Sequence, residues 1–485
     1  NFFFDSTNPL ISSKPSLIYY PFSFLSFHPH TPLINMSELH DLCKFPTRPI
    51  DQSYIDKLTQ YLKDGIPATY TIEEAYNYIN NIEEEPTTTT TPLHLICSHA
   101  PFDITKEEQE IISTMVEKLF EYGAGWSFTD INNQTPGCIL ISRRRERENK
   151  EEDGKWMNDV YQQIIDAGVR AELLLRKVNE FEEIEFIEED DEQEEKEEED
   201  IPQLVKDEQE IKEEAKQEQT TTTDIKPVVI DDAPDAPSQN QQSYLNTKLE
   251  YINDALITKD DKDGVMMAWE NDIMKLASDT ITSSASSASD SELEQEVNIL
   301  NIGFGMGIID AMIQSKLKSH PNAKHYICEA HPDVLQKMKI DGWYEKPNVI
   351  ILEGRWQDKL NGLLSSSSSS EASVFFDGIY YDTFLEHYQD MLELFDIIVG
   401  LLKPHGIFSF FNGLGADRQI IYEVYKNLLI IDLENYGLNC QFKEFNVPNE
   451  KFWNKLQDKS IWDDVKRSYW SCPIYYHPII KFIDY

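Results

Sequence analysis

Three glycines, Gly303, Gly305 and Gly307, follow directly on the apolar run VNILNI (297–302) and lead into a segment with helical spacing. Glycines between a strand and a helix let the chain turn tightly and approach a ligand closely. Taken alone, such a turn reads equally well as close strand–helix packing. The next apolar run, KHYICEA, ends in Glu329, 22 residues after Gly307, where an acid can accept hydrogen bonds from both hydroxyls of a ribose. Trp356 and Gln357, in EGRWQD, follow a third such run. The indole there offers a stacking face, or else is a buried tryptophan in an ordinary loop. Asp382 closes a fourth run, VFFDGIYYDTF. Carboxyl ends of parallel strands face the ligand crevice, so Asp382 reads as a site acid; its other reading is the N-cap of FLEHYQDMLELF. Glu270, in GVMMAWENDIM, reads on the residues alone as a solvent-facing acid on an amphipathic helix.

Positioning these residues takes a parallel sheet. After the second strand come NVIILEGRWQD, VFFDGIYYDTF, a helix, LLKPHGIFSFF, another helix, and the late strands CQFKEFNV and CPIYYHPIIKFI. The glycine loop and its acid suit a dinucleotide as well as S-adenosylmethionine, but the loop is not GxGxxG and no dehydrogenase-type second half follows. The order resembles a class I methyltransferase, an α/β fold with a seven-stranded, mostly parallel sheet ending in an antiparallel hairpin.

The rest of the chain divides around this half. Its 485 residues call for two or three domains. With 43 Lys and Arg against 87 Asp and Glu, the net charge of −44 argues against a general nucleic-acid binder. No apolar stretch has the length of a membrane span, and a soluble protein is expected. The six cysteines, Cys43, Cys97, Cys138, Cys328, Cys440 and Cys472, form no CxxC pair, so reduced thiols and no metal site are expected. Residues 1–35 are expected to be a disordered or wrongly annotated upstream extension, with Met36 as the natural start. Residues 36–179 carry TPLHLICSHA and a second Thr-Pro-Gly, a pattern that resembles ankyrin repeats, with Thr capping the helix and Pro in its first turn. This helical domain is expected to dock a protein and to be separable from catalysis; a small helical domain without a binding role fits the same residues. Residues 180–240 are dominated by a polyanionic run and read as a disordered linker. Residues 241–485 form the methyltransferase-like domain.

GVMMAWENDIM, NIGFGMGIID, CEAH, EGRWQD and FDGIYYDTF together closely resemble the guanidine-directed methyltransferases. These include guanidinoacetate N-methyltransferases and, closer still through the ankyrin-like region, the fungal and plant type IV protein arginine methyltransferases, described as methylating the internal δ nitrogen (N5) of arginine. The likeness spans roughly Tyr244–Tyr485. It implies S-adenosylmethionine as cofactor, held by Tyr244, Met274, Gly303, Phe304, Gly305, Met306, Gly307, Ile308, Glu329, Ala330, His331, Trp356, Gln357 and Asp382. Tyr244 rests only on its distance upstream of GVMMAWE, and a packed tyrosine fits as well. Met266 and Met267 are placed near the sulfonium, although a Met pair also serves as plain core filling.

The same resemblance makes Glu270 and Asp382 the acids that face the guanidinium. A guanidinium has no free lone pair until its charge is held and a proton removed, and carboxylates do both. The implied partner is an arginine-containing protein, by family precedent a large-subunit ribosomal protein, with a monomeric enzyme in cytoplasm and nucleus. No double-glutamate hairpin of the terminal-nitrogen arginine methyltransferases is present, which favours the internal nitrogen. Two rivals stand: a methyltransferase for a free guanidine metabolite, and an ankyrin adaptor that has lost activity.

Overall fold

The computed structural model describes residues 37–83, 85–86, 89–146, 155–194, 241–252, 254–286, 296–366, 374–384, 388–454, 459–466 and 468–483. The expectations for residues 1–35, and for the acidic stretch from 195 to 240, lie outside the described residues.

Seven helices build the N-terminal half: α1 (Ser37–Leu42), α2 (Gln52–Lys63), α3 (Ile72–Asn80), α4 (Pro92–His99), α5 (Lys106–Glu121), α6 (Pro136–Arg145) and α7 (Lys155–Glu194). Threonines start four of them. Thr71 and Thr105 form reciprocal capping boxes with Glu74 and Glu108, and Thr135 accepts from the N–H of Cys138 with Pro136 in the first turn. At Thr91 the cap partner is His94. The Thr91 N–H donates to its Nδ1 at 3.2 Å, so Nε2 carries the proton toward the carbonyl oxygens of Phe128 (3.0 Å) and Gln134 (3.2 Å). Burial lowers the pKa of this imidazole and keeps it neutral. The TPLH motif thus ties α4 to the turn that leads into α6. α4 packs on both α5 and α6, and α7 on both α5 and α6, giving two stacked helix pairs.

α7 runs on to Glu194, into the stretch expected to be linker. Glutamate is a good helix former, and a helix already nucleated on a packed N-terminal part propagates at little cost.

The C-terminal half opens with α8 (Gln241–Asn246) and a small antiparallel sheet of β1 (Leu249–Ile252), β2 (Ala255–Thr258) and β3 (Gly264–Met267). A 3-10 turn at Ala268–Glu270 leads into α9 (Asn271–Ile281), followed by α10 (Ser283–Ser286). Then come β4 (Asn298–Ile302), α11 (Ile308–Leu317), β5 (Lys324–Glu329), α12 (Pro332–Ile340), β6 (Val349–Glu353), α13 (Trp356–Ser366), β7 (Phe376–Tyr381) and α14 (Tyr388–Leu401). The chain ends with β8 (Leu402–Phe410), α15 (Gln419–Asn435), β9 (Leu438–Asn446), the short pair β10 (Trp453–Asn454) and β11 (Lys459–Ser460), and β12 (Ile474–Phe482). The main sheet has the order β6-β5-β4-β7-β8-β12-β9, with only β12 antiparallel to its neighbours. This is the class I methyltransferase sheet. β4 is buried along its whole length, as a central strand covered on both faces must be. The order reverses between β4 and β7, and crevices of such sheets open at that point.

The two halves share a core. Ile420, Val424 and Leu428 of α15, all fully buried, belong to the apolar cluster of the N-terminal helices. Gly137 of α6 lies so close that a Cβ there would stand 2.7 Å from Ile420 Cγ1. Arg176 of α7 completes the seam, bonded at 2.8 Å to Asp432 of α15 and stacked on the Tyr388 ring at the start of α14.

Candidate active site

The crevice forms where β4, β5 and β7 end side by side. The N–H of Gly303 donates to the Cys328 carbonyl and that of Asp382 to the Ile302 carbonyl, both at 2.8 Å. Gly303, Gly305 and Gly307 have φ of 92°, 53° and 68°, the left-handed region that glycine adopts without strain. Gly303 is also required by space: a Cβ there would lie 1.9 Å from the Asp382 carbonyl oxygen. Tyr244, Met266, Gly303, Gly305, Glu329, Ala330, His331, Trp356, Asp382 and Thr383 line the cavity.

Glu329 is buried at the tip of β5. Its carboxylate accepts from the N–H groups of Phe304 (2.9 Å), Ala330 (2.8 Å) and His331 (2.7 Å). Burial raises its pKa, and these donors oppose the rise. His331 accepts from the Asp333 N–H at Nδ1, so its Nε2–H donates to the carbonyl oxygens of Tyr244 and Thr247. That imidazole pins α8 against the cofactor side, where the Tyr244 ring packs on both His331 and Phe384.

The two expected acids come together beside this cavity. Glu270 closes the 3-10 turn before α9 and is 3% exposed, so it is neither solvent-facing nor within a regular helix. Its Oε1 accepts from the Met267 N–H at 3.1 Å and from the Tyr469 hydroxyl. Burial and the charge of Asp382 push the Glu270 carboxyl up. Asp382 is likewise pushed up, by burial and then by the charge of Asp310. Among the described residues neither acid makes an ion pair with Lys or Arg. The N-cap reading of Asp382 does not hold, because Thr383 and Phe384, which would open the capped helix, are not helical.

Other expected residues take different places. Met274 is fully buried in the core between α9, β4 and β7, because it lies on the inward face of α9. Phe304 buries its ring edge-on to Trp343 and serves Glu329 through its backbone. Met306 donates its N–H to the Met266 sulfur, and neither it nor Gly307 nor Ile308 lines the cavity. Trp356 reaches the cavity while 3% exposed, standing edge-on to Tyr381. Gln357, the next residue of α13, does not line it, since successive helical residues point about 100° apart. Sequence reasoning missed Thr383, Phe384, Arg355 and Tyr469. The aromatic run around Trp462, Tyr469 and Trp470 was the available signal for the last.

The guanidinoacetate N-methyltransferase family model matches residues 244–441. A protein arginine N-methyltransferase 2 of Debaryomyces hansenii is 58% identical over 93% of this chain and 100% of its own length. The proteins of that name from Saccharomyces cerevisiae and Yarrowia lipolytica are 47% and 40% identical, each over 92% of this chain and over 100% and 97% of their own. The chain belongs to the protein arginine N-methyltransferase 2 family.

Both fold and family imply S-adenosylmethionine as cofactor, and the donor set fits it. Glu329 lines the cavity at a strand end, where an acid meets a ribose. The glycine loop brings bare backbone to the cavity, and Tyr244 and Trp356 supply apolar faces. The hydroxyl of Thr383 is buried without a hydrogen-bond partner among the described residues, an orphaned polar atom on the cavity wall. Of the residues expected to hold the cofactor, Tyr244, Gly303, Gly305, Glu329, Ala330, His331, Trp356 and Asp382 line the cavity.

Proposed function

We propose that this chain monomethylates the δ nitrogen (N5) of arginine in a protein substrate, with a large-subunit ribosomal protein as that substrate. One observation carries the reading: Glu270 is buried and Asp382 half-buried on the cavity wall, the two acids interact electrostatically, and no Lys or Arg among the described residues pairs with either. Two like charges so placed, one of them fully buried, are costly unless a cation joins them, and a planar guanidinium offers donors to both.

S-adenosylmethionine, when bound, supplies an electrophilic methyl group. The chain's residues do the rest. Glu270 and Asp382 hold the terminal nitrogens of the guanidinium and draw its positive charge toward them. The internal nitrogen then keeps more lone-pair character and is presented toward the cofactor side of the crevice. A carboxyl raised toward neutrality is also a better acceptor for the proton that must leave. Trp269, packed among Phe452, Trp462, Tyr469 and Trp470, helps keep the buried Glu270 from water.

The stacked helix pairs fit an ankyrin-like docking surface, which a protein substrate needs and a free metabolite does not. The enzyme is proposed to act as a monomer in cytoplasm and nucleus. Incubating the full chain with labelled S-adenosylmethionine and either a large-subunit ribosomal protein fraction or guanidinoacetate tests the reading. Fragment ions of a δ-methylated arginine are expected; label on guanidinoacetate alone, or on terminal nitrogens, overturns it.

A further inference from the structure

Tyr469 lies on the C-terminal segment between β11 and β12, with its ring against Trp269 (6.0 Å between centroids) and edge-on to Trp462 (4.9 Å). The segment approaches β3 closely: a Cβ at Gly264 would stand 3.2 Å from the Tyr469 ring. Its hydroxyl sits between two partners of fixed character. The Trp269 indole N–H, a donor only, points at the Tyr469 oxygen from 3.1 Å. The phenolic proton therefore goes to the other neighbour, Oε1 of Glu270. The Met267 N–H donates to the same oxygen at 3.1 Å. Oε1 is thus held by two protein donors, and Oε2 has none among the described residues.

We infer that Tyr469 is a positioning residue for methyl transfer: oriented by Trp269, its hydroxyl fixes Oε1 of Glu270 and leaves Oε2 to receive the substrate guanidinium. The inference rests on the two-acid reading above and adds to it which oxygen acts and what aims it. It also explains why a segment some 200 residues downstream of Glu270 is threaded over the site. A carboxylate free to rotate about its last bond would present either oxygen, and the planar two-point contact with guanidinium would be lost for part of the time. The groups that face Glu270 are Asp382 and Tyr380 from the β7 end, Tyr469 from this segment and Tyr475 from β12. Of these side chains, only Tyr469 donates to it directly among the described residues.

Tyr469→Phe keeps the ring and removes the donor. A lost hydrogen bond to a charged acceptor is expected to lower kcat by about tenfold to a hundredfold, with cofactor affinity unchanged. With one donor fewer, protonated Glu270 is favoured, so the acid limb of the pH–rate profile moves upward by about one pH unit and activity recovers in part as pH rises. Trp269→Phe, which leaves the hydroxyl in place but unaimed, moves the same limb the same way by less. A carbon-13 NMR titration of the Glu270 carboxyl in the cofactor-free full chain, assigned by its loss in Glu270→Gln, gives a readout independent of transfer. Its midpoint is expected to rise in Tyr469→Phe, and in Trp269→Phe by less. An unmoved midpoint in both variants, with Glu270→Gln inactive, overturns this inference alone; normal transfer by Glu270→Gln overturns the functional reading and this inference with it.

Discussion

Glu108 in the helical half and Glu270 in the catalytic half are both 3% exposed, yet their surroundings are opposite. Glu108 receives two bonds from the Arg48 guanidinium, at 2.8 and 2.6 Å, and one each from the N–H groups of Ile50 and Thr105, both at 3.0 Å. Burial works against its charge, but these donors outweigh burial and hold its carboxyl down to about 2. Glu270 has a tyrosine, one backbone N–H and a second acid for company, and is pushed up. A buried acid with all its partners is part of the scaffold. A buried acid whose cation is missing marks the place where a substrate brings one.

The sharpest test of whether the halves are separate regions is to remove one. Deleting residues 36–175 strips the cover from Ile420, Val424 and Leu428, each worth about 1.5–3 kcal/mol when buried. Together they rival the stability margin of a domain. The truncated chain is therefore expected to unfold or aggregate and to lose cofactor binding, contrary to a separable docking module. Thermal unfolding and calorimetry with S-adenosylmethionine check this; a truncated chain that melts and binds normally would restore the separable view.

Next in size is the loss of the acid pair. Glu270→Gln and Asp382→Asn keep shape and remove charge, and losing a buried charged contact costs about 2–5 kcal/mol, or tenfold in rate for each 1.36 kcal/mol. Single-turnover transfer is expected to fall by one to three orders of magnitude or more, while Tm at neutral pH holds or rises because an unpaired buried charge is gone. Loss of Tm with transfer intact would make Glu270 a scaffold residue like Glu108.

The smallest effects contrast the two glutamates directly. Glu108→Gln is expected to cost about 1–3 kcal/mol of stability with little change in transfer once folded. The pH signs are opposite. The depressed pKa of Glu108 gives stability that is present above its ordinary value and is lost as pH falls toward about 2. The raised pKa of Glu270 gives stability that is full below its ordinary value and is lost as pH rises through the interval toward neutrality. In Tm measured against pH, Glu108→Gln should flatten the acid side and Glu270→Gln the neutral side; the reverse pattern would void the comparison.

Much of the catalytic sheet was legible in the sequence because its signals are local. Apolar runs of strand length, glycines that need positive φ, and acids at strand ends each report on a few neighbouring residues, so Gly303, Glu329 and Asp382 fell where expected. The capped helices at Thr91 and Thr135 were readable for the same reason. The acidic run past residue 180 misled, since composition gave repulsion but not the helix already anchored at its start.

What the sequence by itself determined is therefore the order of strands and helices and the loop that turns at Gly303. Only the tertiary structure decided that Glu270 is buried, that Tyr469 reaches it across 199 positions of chain, that Met274 faces the core and Gln357 turns away from the crevice, and that α15 belongs to both halves. The physical reason is range. Backbone conformation is set by sterics and hydrogen bonds within a few residues, whereas burial and the pairing of charge depend on which distant surfaces pack together.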